Sequence, residues 1–245
     1  MRLFQFLILL LVASLLFVAI GCSDSDDDPV TPPPVEEMAR IAIMHDDSTH
    51  VAMAVALEAA GYEVTDLGLY ADYTGTDFSA FDLVFMLTGY EYGADLPDTV
   101  QQGLLDFMSD GGTLVTTEWL GYSENNELLT PKLALAYNDD YCDDGASACI
   151  DTITVDVGHP LTQGLDAIFT TPPDYTYSFM ILNDAATSEN ATNLMTGTIG
   201  GAVLGIGEWG SGHTIHWNWA GCYAGADIWD ANTTRILMNI ADFAR

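Results

Sequence analysis

The chain has 245 residues, of which 49% are hydrophobic and 17% charged, with 36 acidic side chains against five basic ones and a formal net charge of −31 at pH 7. A field of that sign repels phosphate backbones and anionic headgroups, which excludes nucleic acid as a partner on electrostatic grounds. Aspartate outnumbers glutamate 26 to 10, a bias that fits a saline habitat, divalent cations or plain solubility.

The chain opens with Arg2 and an apolar run from Phe6 to Ile20 broken only by Ser14, followed by Gly21-Cys22. A charged n-region, a short h-region and a small residue before a cleavage point form a signal peptide. The run falls short of the roughly 18–20 residues that a spanning helix needs. Val18-Ala19-Ile20-Gly21-Cys22 resembles a bacterial lipobox, with Ala19 in place of the usual leucine. The resemblance implies lipidation at Cys22, a mature chain starting there and attachment to the membrane through lipid, and Ser23 points to the outer membrane. Residues 23–38 hold four Asp, two Glu and four Pro and have almost nothing to bury, so they read as a tether. The expected organisation is a signal over 1–21, a tether over 22–38 and one domain over 39–245, a length suited to a single α/β unit.

Within the domain, Arg40 to Met44 reads as a strand, and Asp46-Asp47-Ser48 offers caps for a helix that runs to Ala60 and stops at Gly61. Glu63 to Leu67 starts a second strand. Leu83 to Thr88 is a continuous apolar run, as expected of a strand buried on both faces. A helix opens at Leu96-Pro97-Asp98, with Val100, Leu104, Phe107 and Met108 along one stripe and Gly111-Gly112 ending it, and Thr113 to Glu118 is the next strand. Further on, Ile153, Val155 and Val157 alternate with polar residues, Ala202 to Trp209 and His213 to Trp219 form a hairpin, and a last helix carries Ile236, Leu237, Ile240 and Phe243 with Asp230 or Asn232 as cap. Strands alternating with helices imply a mostly parallel sheet covered on both faces, with the runs at 40–44, 83–88 and 113–118 side by side in its centre.

This order, with Gly158-His159-Pro160-Leu161-Thr162-Gln163-Gly164-Leu165 after a strand and a hairpin before the final helix, resembles the class I glutamine amidotransferase-like superfamily, in particular its ThuA-like and related uncharacterised branches. The resemblance implies a flavodoxin-like three-layer α/β/α sandwich. Catalytic members carry a cysteine on a Gly-x-Cys-x-Gly elbow; the matching stretch here is Thr117-Glu118-Trp119-Leu120-Gly121, with Trp119 where the thiol would be, and His159-Pro160 continues with Leu161 rather than glutamate. Glutamine hydrolysis by that route is not expected.

Ligands of open parallel sheets bind beyond the carboxyl ends of the strands. Those ends carry His45-Asp46-Asp47, Tyr90-Glu91-Tyr92 and Glu118-Trp119, so His45, Glu91, Glu118 and Trp119 are the ligand-binding candidates for a small molecule, a carbohydrate or a metal. The alternative is that these groups cap helices or face solvent. His213 and His216 fall on opposite faces of one strand. His216 shares its side with Thr214 and Asn218 and is a possible addition to the site, whereas His213 reads as a core or interface residue. Cys142 and Cys149 are expected to form a local disulfide in an oxidising envelope, leaving Cys222 as a buried free thiol or a nucleophile. No cofactor is expected. Asp139, Asp140, Asp143 and Asp144 are candidate calcium ligands, with a solvated acidic loop as the alternative, since the stretch lacks the spacing of an EF-hand.

Three functions follow from this reading: a non-catalytic binding or scaffold domain on the envelope, a carboxylate- or metal-dependent hydrolase of carbohydrate or peptide, and a calcium-stabilised structural module. No protein partner is named by the sequence.

Overall fold

Continuous apolar segments and amphipathic helices pack as alternate layers in the computed structural model, which describes residues 38–46, 50–88, 94–117, 120, 126–135, 152–170, 191–198, 201–218 and 230–245. Among these residues, nine strands form one mixed sheet: β1 (Arg40–His45), β2 (Glu63–Leu69), β3 (Leu83–Met86), β4 (Thr113–Thr117), β5 (Thr152–Val155), β6 (Ile168–Thr170), β7 (Thr192–Gly197), β8 (Gly201–Trp209) and β9 (Gly212–Trp217). Their spatial order is β2-β1-β3-β4-β9-β8-β7-β5-β6. The first five of that series are mutually parallel, and the remainder join antiparallel. The runs at 40–44, 83–88 and 113–118 are adjacent as expected, and the parallel part has flavodoxin-like order.

Among the described residues, three α-helices cover the sheet: α1 (His50–Ala59), α2 (Asp98–Ser109) and α3 (Ala231–Phe243). Alternation divides the core between two faces. Ile41, Ile43, Leu83, Phe85, Val115, Ile215 and Trp217 pack with Met53 and Leu57 of α1 and with Ile236, Leu237 and Ile240 of α3. Ala42, Met44, Val84, Met86 and Leu114 face the other way, against Val100, Leu104, Phe107 and Met108 of α2. The stripe expected on α2 is the one buried. Asp230 caps α3, accepting from the Thr233 N–H at 2.7 Å.

Two strands, β6 and β7, were not legible in the sequence. β6 is three residues long with Ile168 63% exposed, and β7, TNLMTG, mixes apolar and polar residues on both faces. Helix α1 begins at His50, later than the caps proposed for it; Asp47 and Ser48 lie outside the described residues. The turn after β5 is tied by local bonds. His159 Nδ1 accepts from Leu161 N–H at 3.2 Å, and Thr162 Oγ1 accepts from His159 N–H at 3.0 Å. Asn239 of α3 donates to the carbonyls of Leu161 and Gln163 at 3.1 and 2.9 Å. The Gly-His-Pro-Leu-Thr stretch that carries the family resemblance thus docks the last helix.

Candidate functional site

In the order β2-β1-β3, the chain crosses from β1 to β2 on one side and then back to β3 on the other, so the carboxyl end of β1 adjoins the switch point where ligands of such sheets bind. Ile41 and Ile43 are buried on the α1 face, and His45, two residues further, is the last side chain on that side of β1. Helix α1 returns over the same face. Its buried positions Met53 and Leu57 share a stripe with His50, three and seven residues earlier, so the first turn lowers His50 onto His45. The rings stack with centroids 3.4 Å apart and an interplanar angle of 11°.

Asp66 completes the group from β2. Ile43 is opposite Asp66, but Met44 is opposite Gly68, so Leu67 is an extra residue that bulges the strand. Gly68 has φ +84°, and its N–H donates to Asp66 Oδ1 at 2.8 Å. Asp66 Oδ1 lies 3.1 Å from His45 Nε2, and Oδ2 lies 3.4 Å from His50 Nε2. The imidazoles sit below the surface, with side chains 10% and 14% exposed, while the carboxylate at the rim is 54% exposed. Partial burial opposes ionisation of Asp66, but the Gly68 N–H and the two imidazoles outweigh it and hold the carboxyl below its ordinary range. One ligand atom from each of His45, His50 and Asp66 lies within 4.8 Å of the other two. These are the residues that could hold a metal.

His216 lies elsewhere. Thr116 is its partner in the register between β4 and β9, and Nδ1 is 2.8 Å from Thr116 Oγ1. Both belong to the α2 face of the sheet, opposite to His45, and β1 and β9 are separated by β3 and β4, about 14 Å along the sheet at ~4.8 Å per strand. His45 and His216 therefore do not share a crevice. His216 is fully buried, and burial pushes its imidazole down to about 3. Its Nε2 and the neighbouring Thr214 Oγ1 have no hydrogen-bond partner among the described residues. His213 points to the α3 face, edge-on to Phe243 at 4.9 Å, as a core-facing residue would. His159 is 5.5 Å from the same ring, and burial, followed by the nearby His213, lowers its pKa.

Glu91, Glu118 and Trp119, the Cys142–Cys149 pair, Cys22, Cys222 and the carboxylates Asp139, Asp140, Asp143 and Asp144 lie outside the described residues. Sequence reasoning missed His50 and Asp66. The signal for His50 was present, since it heads the stripe of Met53 and Leu57; that for Asp66 was not, because its facing depends on the bulge. A large cleft elsewhere, of about 460 Å³, opens at the amino ends of the strands, between Arg40, Asp77, Asp82, Asp106 and Arg245. Its central charges are already paired, with Arg40 Nη2 donating to Asp82 Oδ1 at 2.8 Å.

The sequence matches no protein-family model and no curated protein. Solved structures do match. A cytoplasmic protein from Salmonella typhimurium aligns with a TM-score of 0.64 at 11% identity, covering 83% of this chain and 98% of that one. A putative ThuA-like protein from Parabacteroides merdae gives 0.63 at 14%, covering 85% and 90%. A putative GMP synthase component from Thermoplasma acidophilum gives 0.55 at 8%, covering 86% and 96%. What is shared is the amidotransferase-like, flavodoxin-like fold.

Proposed function

We propose that this chain is a lipoprotein of the bacterial envelope whose amidotransferase-like domain binds a small ligand at the carboxyl ends of its parallel strands and does not hydrolyse glutamine. The observation that carries the reading is the meeting of His45, His50 and Asp66 beside the switch point, three polar groups brought from three elements to the place where this architecture binds ligands. Trp119 in the position of the superfamily's nucleophile removes the attacking thiol. Glu91, Glu118 and Trp119 follow β3 and β4 in the chain and remain ligand-binding candidates on sequence grounds.

Anchoring rests on Cys22 and on the acidic, proline-rich stretch to residue 38. Each buried acyl methylene contributes about 0.8 kcal/mol, and stable attachment takes more than one chain, which the multiple acylation of this lipoprotein class supplies. Growth with labelled fatty acid tests it: the wild type incorporates label and stays with membranes, and Cys22→Ala does neither. Membrane retention of the variant together with an unlabelled wild type overturns anchoring, and ammonia released from glutamine by the purified protein overturns the non-catalytic half of the reading.

A second reading, a metal-dependent hydrolase of carbohydrate or peptide, is favoured by the donor set itself, since two imidazoles and a carboxylate are ligands of hydrolytic zinc. Turnover of chromogenic glycosides or peptides that is lost on chelation and restored by metal selects it over the binding domain.

A further inference from the structure

We infer that His45, His50 and Asp66 bind one zinc-class divalent ion, leaving a coordination position open toward solvent. The inference rests on the reading of the strand ends as the ligand site and names the ligand.

Geometry supports it first. Zinc bonds to imidazole nitrogen and carboxylate oxygen at about 2.0–2.1 Å, so neighbouring donors of a tetrahedral site lie about 3.3–3.4 Å apart. The Nε2-to-oxygen separations, 3.1 Å from His45 to Oδ1 and 3.4 Å from His50 to Oδ2, lie close to that edge length, and one donor atom from each residue lies within 4.8 Å of the other two. Two of the donors are also held in place: His45 ends a strand buried on both sides and the Gly68 N–H orients the Asp66 carboxylate, while His50 heads the helix stripe of Met53 and Leu57 on the first turn.

Donor chemistry selects the ion. Calcium takes six to eight oxygens, whereas two imidazoles and one carboxylate suit zinc and its borderline neighbours. Three protein ligands with an exposed carboxylate rim leave the fourth position to water or to an exogenous group. An imidazole lone pair lies in the ring plane, so two rings stacked at 11° cannot both aim at one ion; loading splays them. Binding therefore breaks the histidine stack, and His50, on the first turn of its helix, is the ring placed to swing. The acidic surface concentrates cations of every kind, and the test has to remove that background.

The full-length protein in detergent, stripped with chelator and held in excess calcium to occupy nonspecific carboxylates, is titrated with zinc and separately with cobalt. The expected result is one equivalent of zinc retained through gel filtration and a visible d–d spectrum with cobalt. Asp66→Asn and His50→Ala are each expected to weaken that equivalent at least about a hundredfold, while the stripped Asp66→Asn protein melts within a few degrees of the stripped wild type because its carboxylate is half exposed. Should His50→Ala fail to fold, Asp66→Asn alone decides. A wild type that holds no more zinc than Asp66→Asn, or an equivalent that survives both substitutions, overturns the site. Neither result touches fatty-acid labelling or the glutamine assay, and a zinc-loaded protein that releases ammonia from glutamine overturns the functional reading while leaving the metal site standing.

Discussion

The two faces of the sheet use histidine in opposite ways. On the α1 face, His45 and His50 gather at the end of β1 under a half-exposed carboxylate that draws positive charge toward them. On the α2 face, His216 is sealed beside Thr116, and burial keeps it neutral. Depth decides the difference. The same ring becomes a ligand donor where one side reaches water and an anion, and a packing residue where desolvation outweighs every polar contact. Among the described residues one nitrogen of this buried imidazole has no partner, a cost to stability that the Thr116 bond to the other nitrogen partly offsets.

The largest expected effect breaks the sealed side. His216→Ala empties a fully buried position and leaves the Thr116 hydroxyl only its longer bond to the Ile215 carbonyl at 3.4 Å, and it should cost about 2–4 kcal/mol in urea denaturation at pH 7; a loss below about 0.5 kcal/mol means the pocket is not close-packed around the ring. Next in size is the acid response. With a folded-state value near 3 and an unfolded one near 6.5, the unfolded chain binds the extra proton between those limits. Stability is complete above pH 6.5 and falls by about 1.4 kcal/mol per unit as pH drops toward 3. Measured at pH 7 and 5, before carboxylates titrate, the slope should be flatter by about that amount in His216→Gln; an unchanged slope assigns the acid response to other groups.

The open side should respond less. Gly68→Ala puts a side chain at φ +84° with nothing within 4 Å to clash, so backbone conformation alone costs about 1 kcal/mol, and the displaced Gly68 N–H should loosen zinc as well. Asp66→Asn is the mildest, at less than about 1 kcal/mol in the stripped protein, since water screens a half-exposed carboxylate. Its folded-state pKa is lowered, so the stabilisation it gives is present above the unfolded carboxyl range and is lost as pH falls through the folded value. That window opens well below the pH of about 6.5 at which His216 begins to act. A wild-type-minus-Asn difference that appears at pH 6 instead assigns the effect to groups other than the Asp66 carboxylate.

The legible parts of this molecule were those where one chemical period runs uninterrupted. Leu83 to Met86 is apolar at every position because both faces are covered, and Val100, Leu104, Phe107 and Met108 mark a helix with one buried side. β6 has three residues, too few to show a period, and β7 carries Asn193 and Thr196 among its apolar residues. The site was half legible for a related reason. His45 could be placed by counting from Ile41 and Ile43, and the opposite facing of His213 and His216 by parity within one strand. Relating His216 to His45 required the register across β3 and β4, and Asp66 required a one-residue bulge that no local pattern announces.

The position of β1 has a mechanical consequence. Residue 38 leads into a strand that enters the sheet between β2 and β3 and runs parallel to both. Tension between that residue and the carboxyl ends of the sheet acts along the strand axis, across two hydrogen-bond ladders at once, and loads them in shear. An edge strand peels one bond at a time; β1 must break its bonds to β2 and β3 together. Lifetime under load is governed by the unfolding rate, so a pull through residue 38 meets the sheet where it resists extraction on both sides, with His45 at the far end of the strand being pulled.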